Sequence, residues 1–108
     1  MKLKEKLINM TKKAHEDINN RVKKECLDFM PNIVKLMEDR AFTGKSHIVI
    51  NFDIKYRDCP YFEVNIDEIV VRYDDSYHET ALKQFLRSYF EEKKFYIQKC
   101  GNSLYIHW

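Results

Sequence analysis

The chain of 108 residues contains only two glycines and two prolines. Long flexible linkers are therefore excluded. So is a glycine-rich turn that would cradle a phosphate or build an oxyanion hole. Cysteine is also scarce: Cys26, Cys59 and Cys100 are far apart, odd in number and form no CxxC pair. A disulfide framework is not expected, and a reducing cytoplasm is the simpler setting. No apolar run approaches the ~20 residues of a membrane span. Residues 1–17 meet a polar side chain every second or third position, unlike the apolar centre of a signal peptide. A large excess of one charge is missing too. Lys and Arg number 19 against 17 Asp and Glu, giving a net charge of +2 and a pI near 8.4. Nucleic-acid-binding domains usually carry a stronger basic excess, although local distribution matters more than the sum.

What is present suits one globular domain spanning 1–108, too short for two. Hydrophobic residues make up 44%, charged residues 33% and aromatic residues 14%, so rings must fill much of the core or coat a surface. The first forty residues read as helix. Met10, Ala14, Ile18, Val22 and Cys26 recur every fourth position, Leu3 and Leu7 lead into that row, and Phe29, Ile33, Val34 and Met37 continue it. The stripe is narrow from Met10 to Val22 and broad from Cys26 to Met37. The expectation is a helix over about 1–42 that packs by its C-terminal half and partly protrudes by its N-terminal half. Pro31 predicts a kink or a break at Phe29-Met30, and Asn32 is able to cap a restart, so one kinked helix and two helices both remain open. Gly44 suits a C-cap.

Beyond Gly44 the period changes to two. Ile48, Ile50, Phe52 and Ile54 alternate with polar partners and predict a strand over 46–54. Phe62, Val64 and Ile66 predict its hairpin partner. The pattern then slips by one, to Ile69, Val71 and Tyr73, which a bulge would absorb, while a short helix over the same residues competes. Ser76 and Glu79 read as a capping box for a helix bearing Ala81, Leu82, Phe85, Leu86, Tyr89 and Phe90. Gly101-Asn102 is a two-residue turn that pairs Cys100 with Ser103, Lys99 with Leu104, Ile97 with Ile106 and Phe95 with Trp108. That register puts Ile97, Leu104 and Ile106 in the core and Tyr96, Tyr105 and His107 on the other face. The expected architecture is α+β: helix, β-hairpin, helix, C-terminal β-hairpin, with about four antiparallel strands and the helices on one face.

Catalytic constellations are thin. His15, His47, His78 and His107 are scattered without a ligand spacing, and Cys59 and Cys100 would meet a histidine only through the tertiary fold, so no metal and no cofactor are expected. Asp53, Asp58, Glu63, Asp67 and Glu68 crowd the first hairpin. A nuclease would use Asp53, Lys55 and Glu63, but cross-strand pairing on a solvated face accounts for the same residues. Thr43-Gly44-Lys45-Ser46 lacks the upstream glycine of a P-loop and leads from helix to strand, the reverse of that motif.

Two surfaces remain. The row Met10, Ala14, Ile18 and Val22 must dock on its own domain, on a second copy to give a homo-oligomer, or on a partner. Lys12, Lys13, Lys23 and Lys24, within a run of eight basic residues in the first 24, suit phosphates, and Tyr96, Tyr105 and His107 offer rings for bases.

Ala41-Phe42-Thr43-Gly44-Lys45-Ser46-His47-Ile48, together with 90–97 and the closing Leu104-Tyr105-Ile106-His107-Trp108, resembles small accessory proteins encoded by tailed bacteriophages. Lys94 departs from that pattern, standing where a glycine is often seen after the helix. The resemblance transfers no site residue. It implies a small binder that modifies or blocks a host or defence protein. Taken together, the sequence points to a non-enzymatic binding protein, with a nucleic-acid-binding accessory factor as the alternative and a sequestering protein for a small nucleotide neither supported nor excluded. Reversing the charge at Lys12, Lys13, Lys23 and Lys24 separates the first two. A nucleic-acid binder loses affinity and shows a steep salt dependence. A protein binder keeps its partner unless that partner is acidic.

Overall fold

A computed structural model describes residues 2–55 and 60–108. Asp58 and Cys59, named above as an acid and a candidate ligand, lie outside them. Helix α1 (Lys2–Phe42) is one unbroken helix, so of the two alternatives left open at Phe29-Met30 the chain takes the single helix. Pro31 removes the bond to Leu27, and both residues lie on the solvent side, where water can satisfy a free carbonyl. At 1.5 Å per residue, its 41 residues account for the molecule's long dimension of 60 Å.

The sheet corrects the expected hairpin. Strands β1 (His47–Asp53), β2 (Tyr61–Val64), β3 (Glu68–Arg72), β4 (Tyr96–Cys100) and β5 (Ser103–His107) form one five-stranded mixed sheet in the order β2-β3-β1-β5-β4. Strand β3 lies parallel to β1 and inserts between β1 and β2. The slip after Asp67-Glu68 is neither a bulge nor a helix. It is a chain reversal closed by the Asn65 N–H donating to the Glu68 carbonyl at 2.8 Å. Composition explains the order. Ile69-Val70-Val71 is a continuous apolar run suited to a central strand, whereas β2 is short and partly exposed, as edges are. The C-terminal hairpin has the expected register, from Cys100–Ser103 to Ile97–Ile106, and continues to Tyr96–His107.

Helix α2 (Ser76–Glu92) begins one residue earlier than the capping-box reading implies. Asp75 is the N-cap, accepting from the Tyr77 and His78 N–H groups at 2.9 and 3.0 Å. Glu79 instead accepts from the Tyr73 hydroxyl and from Lys83. Both helices stop by the same device. The Lys45 and Gly44 N–H groups donate back to Arg40 and Ala41, and those of Phe95 and Lys94 to Phe90 and Glu91. These are Schellman motifs, each requiring a left-handed residue. Gly44 supplies it at φ 86° and Lys94 at φ 69°. The accompanying apolar contact is present in the second motif, where the Phe90 and Phe95 rings meet edge to face at 5.5 Å.

All the buried apolar residues form one cluster. Val22, Cys26, Met30, Ile33 and Met37 of α1, with Leu82, Leu86 and Phe90 of α2, cover Ile48, Ile50, Ile69, Val71, Leu104 and Ile106. Both helices therefore lie on one face of the sheet, and the other face is uncovered. Cys26 and Cys100 are free thiols. Burial, reinforced by Glu25, pushes the Cys26 thiol up to about 12 and leaves it inert.

An L-residue in the left-handed region costs ~1–2 kcal/mol, which glycine avoids. Lys94 is exposed, so the variant loses no packing. Lys94→Gly should stabilise the protein by about 1 kcal/mol in a urea-unfolding experiment, net of glycine's greater unfolded-state entropy.

Candidate partner-binding site

The α1 stripe divides between core and solvent. Val22 is 1% exposed and belongs to the core, so it is unavailable to a partner, and Ile18 is partly buried against that core. Its contribution to binding is corrected accordingly. Met10 and Ala14 are exposed, and so are Leu3, Leu7 and Ile8, with Leu3, Leu7 and Met10 at 69, 52 and 58%. Leu3, Leu7, Met10 and Ala14 follow the i, i+4, i+7, i+11 spacing of a single helix face. The last anchors before the overhang are His15, stacked on Tyr77 at 3.8 Å, and Asn19, which accepts from the Tyr77 hydroxyl at 3.1 Å. From Lys2 to Ala14 every side chain is exposed.

Basic residues border this apolar face. Lys2, Lys4, Lys6, Lys12 and Lys13 are exposed, against Glu5 alone in the same stretch. Lys23 and Lys24 are exposed beside the packed half of the helix, so the four-lysine patch spans overhang and body.

Tyr96, Tyr105 and His107 do converge, on the uncovered sheet face. Their rings lie 5.7 and 6.4 Å from His107, and His47 joins them at 5.6 Å. His47 was absent from the sequence-derived set because only the β1–β5 register brings it opposite His107. The His107 Nε2 is buried without a hydrogen-bond partner. This patch is on the side of the sheet opposite the helices, so the structure does not bring the two halves of the predicted surface together.

The rest of that face is acidic. The alternation that buries Ile50, Phe52, Ile69 and Val71 turns Asp53, Glu63, Glu68 and Arg72 outward. Arg72 donates to Glu63, packs over Tyr61 at 5.5 Å, and Asn51 links Glu68 to Ser103. Arg72 bonds Glu63 and also lies near Asp53, so both acids of the candidate nuclease set are offset by an arginine across the strands. Gly44 ends a helix rather than opening a phosphate loop.

Tyr73 is buried and hydrogen-bonded to Glu79, and desolvation first, then that bond, pushes its hydroxyl up to about 12. Glu79 is correspondingly held below the usual carboxylate range, chiefly by Lys83 and then by Tyr73. This buried network locks the start of α2 to the end of β3. A further apolar groove of about 350 Å³ lies between the helix C-termini, lined by Val34, Met37, Phe90, Phe95 and Trp108. Periodicity could not reveal it, because it forms where two distant helices and the last residue meet. Among the described residues, no helix is long and apolar enough to cross a membrane. Comparison with protein-family models, curated proteins and solved structures gives no match.

The boundary between overhang and core is open to test. Leu7→Asp should change the unfolding free energy by less than about 0.5 kcal/mol, as exposed substitutions do. Val22→Ala should cost about 2 kcal/mol, through lost burial and a residual cavity. Guanidinium titration followed by circular dichroism reads both.

Proposed function

We propose that this is a non-catalytic binding protein that inserts the overhanging N-terminal part of α1 into an apolar groove with an acidic rim on a partner protein. The observation that carries this reading is the overhang itself: an apolar face on residues 3–14 that the domain leaves in water. Helix-in-groove recognition uses side chains at this spacing. Charge selects among occupants. A second copy would set two groups of five lysines against each other across a helix pair, within a Debye length of ~8–10 Å. An acidic rim turns the same charges into attraction and faster encounter. The resemblance to phage accessory proteins supports a host or defence protein in the cytoplasm as the partner class.

Nucleic acid is the weaker reading. Its lysines are present, but the rings that would stack bases share their sheet face with Asp53, Glu63 and Glu68, which repel phosphates.

The test is affinity capture on the immobilised full chain with nuclease-treated lysate, run beside Leu7→Asp, Met10→Asp and Lys12→Glu/Lys13→Glu. One acidic protein should be retained stoichiometrically by the wild type, at least tenfold less by each apolar substitution, and less by the charge reversal, with the largest deficit at low salt. Retention unaffected by Leu7→Asp and Met10→Asp overturns the helix-in-groove reading. A dimer in sedimentation equilibrium that Leu7→Asp dissolves replaces the partner with a second copy. Nucleic acid lost only on the lysine substitutions promotes the alternative.

A further inference from the structure

The turn into α2 reads Asp74-Asp75-Ser76-Tyr77-His78. We propose that Asp74, Asp75 and His78 bind a divalent first-row transition ion, with zinc as the reference ion. One ligand atom from each side chain lies within 4.8 Å of the other two, and among the described residues no other group of three or more does so.

The second observation is His78. It is 3% exposed, yet neither ring nitrogen has a hydrogen-bond partner. Its Nδ1 faces the Asp75 Oδ1 at 3.8 Å, too far for a hydrogen bond. Buried polar groups are almost always satisfied, so an orphaned imidazole aimed at carboxylates needs an explanation. A metal ion supplies one for the Nδ1 that faces Asp75. With bonds of about 2.0–2.2 Å to nitrogen and oxygen, two ligands on one ion sit roughly 3–4 Å apart. A small closing motion of the exposed Asp74 and Asp75 side chains brings the set to that spacing. One imidazole with two carboxylates suits zinc and its neighbours better than a hard, all-oxygen ion such as calcium.

The local fold prepares these groups. Asp75 is the N-cap, so the Tyr77 and His78 N–H groups fix its carboxylate through Oδ1 and leave Oδ2 for an ion. Its carboxyl is held below the usual range, mainly by the His78 N–H, and stays ionised at neutral pH. Cap and third helical residue are brought together by the first turn itself. His78 is held by the core, while the two aspartates are exposed, giving the ion a path from solvent and room for water as a fourth ligand. The positive end of the helix opposes a cation, and the two carboxylates offset it.

The experiment is calorimetric titration of the chelator-stripped full chain with zinc chloride, repeated with cobalt(II) while its visible absorption is recorded. One ion per chain should bind. A hundredfold excess of zinc over Kd should raise the thermal midpoint by roughly 10–15 °C. Asp74→Asn and Asp75→Ser should each weaken zinc binding at least tenfold. Serine keeps the cap, so both variants should keep the metal-free midpoint within about 2 °C. His78→Gln should remove the cobalt bands. Absence of binding to either ion, or undiminished binding by Asp74→Asn and Asp75→Ser, overturns the site. So does binding that is lost instead in His47→Ala, because that places the ion on the open sheet face.

Discussion

The fold rests on one central strand, buried on a single face and paired along both edges. Strand β1 is covered on its core face, where Ile48, Ile50 and Phe52 are 0–3% exposed, and hydrogen-bonded on both edges. Its two neighbours both follow it in sequence but at different distances: β3 arrives within twenty residues, whereas β5 comes only after α2 and β4. The last hairpin is then tied back to β1, because the Phe52 N–H donates to the Asn102 carbonyl at 3.0 Å and the Asn102 side chain returns a bond to the Phe52 carbonyl. The sheet cannot close until the final residues are in place. Its non-local pairing belongs to the slower class of folding topologies.

That sheet buries one half of α1 and leaves the other half in solvent. Free helices of a dozen residues are marginal in water, because nucleation is costly. Here the C-terminal half is nucleated by packing on β1, stopped by Gly44, and fixed further by the pair between Arg40 and Asp67 in the β2–β3 turn. The exposed half extends a helix that already exists, so in the proposed complex it would enter a groove without having to order itself on binding. A break at Pro31 would have lost this advantage. Because Pro31 lies on the solvent side, the helix continues past it and transmits the orientation of the core to the overhang.

How much of this was legible depended on whether a signal was local. The β4–β5 register followed from Gly101-Asn102 because a two-residue turn admits one pairing. The partition of α1 followed from the widening of its stripe after Cys26, although its boundary fell earlier than Val22 suggested. Strand order was not local. A period of two marks a strand, but it does not say that β3 inserts between β1 and β2. The best available hint was the unbroken Ile69-Val70-Val71, which suits a central position better than the hairpin arm assumed for it. The start of α2 was misread because Ser76 and Asp75 are both good caps, and only backbone geometry separates them. That one-residue shift concealed the candidate metal site, since it places the cap carboxylate and His78, rather than Ser76 and Glu79, on the first turn.

A net charge of +2 also conceals a segregated molecule. The overhang is basic, the uncovered sheet face carries Asp53, Glu63 and Glu68 against Arg72, and the helices and core lie between them. Averaging over composition removes this polarity, yet it is the polarity that a partner meets. An acidic surface approaching in solution is drawn to the helix and repelled by the sheet, so orientation is selected before any apolar contact forms. In the proposed complex the apolar face of residues 3–14 would then supply the short-range term that slows dissociation. In the proposed complex the lysines would steer and the leucines would hold, which gives one helix surface a use for both. The two groups should therefore separate in kinetics, with the lysines acting on association and Leu3, Leu7 and Met10 on dissociation.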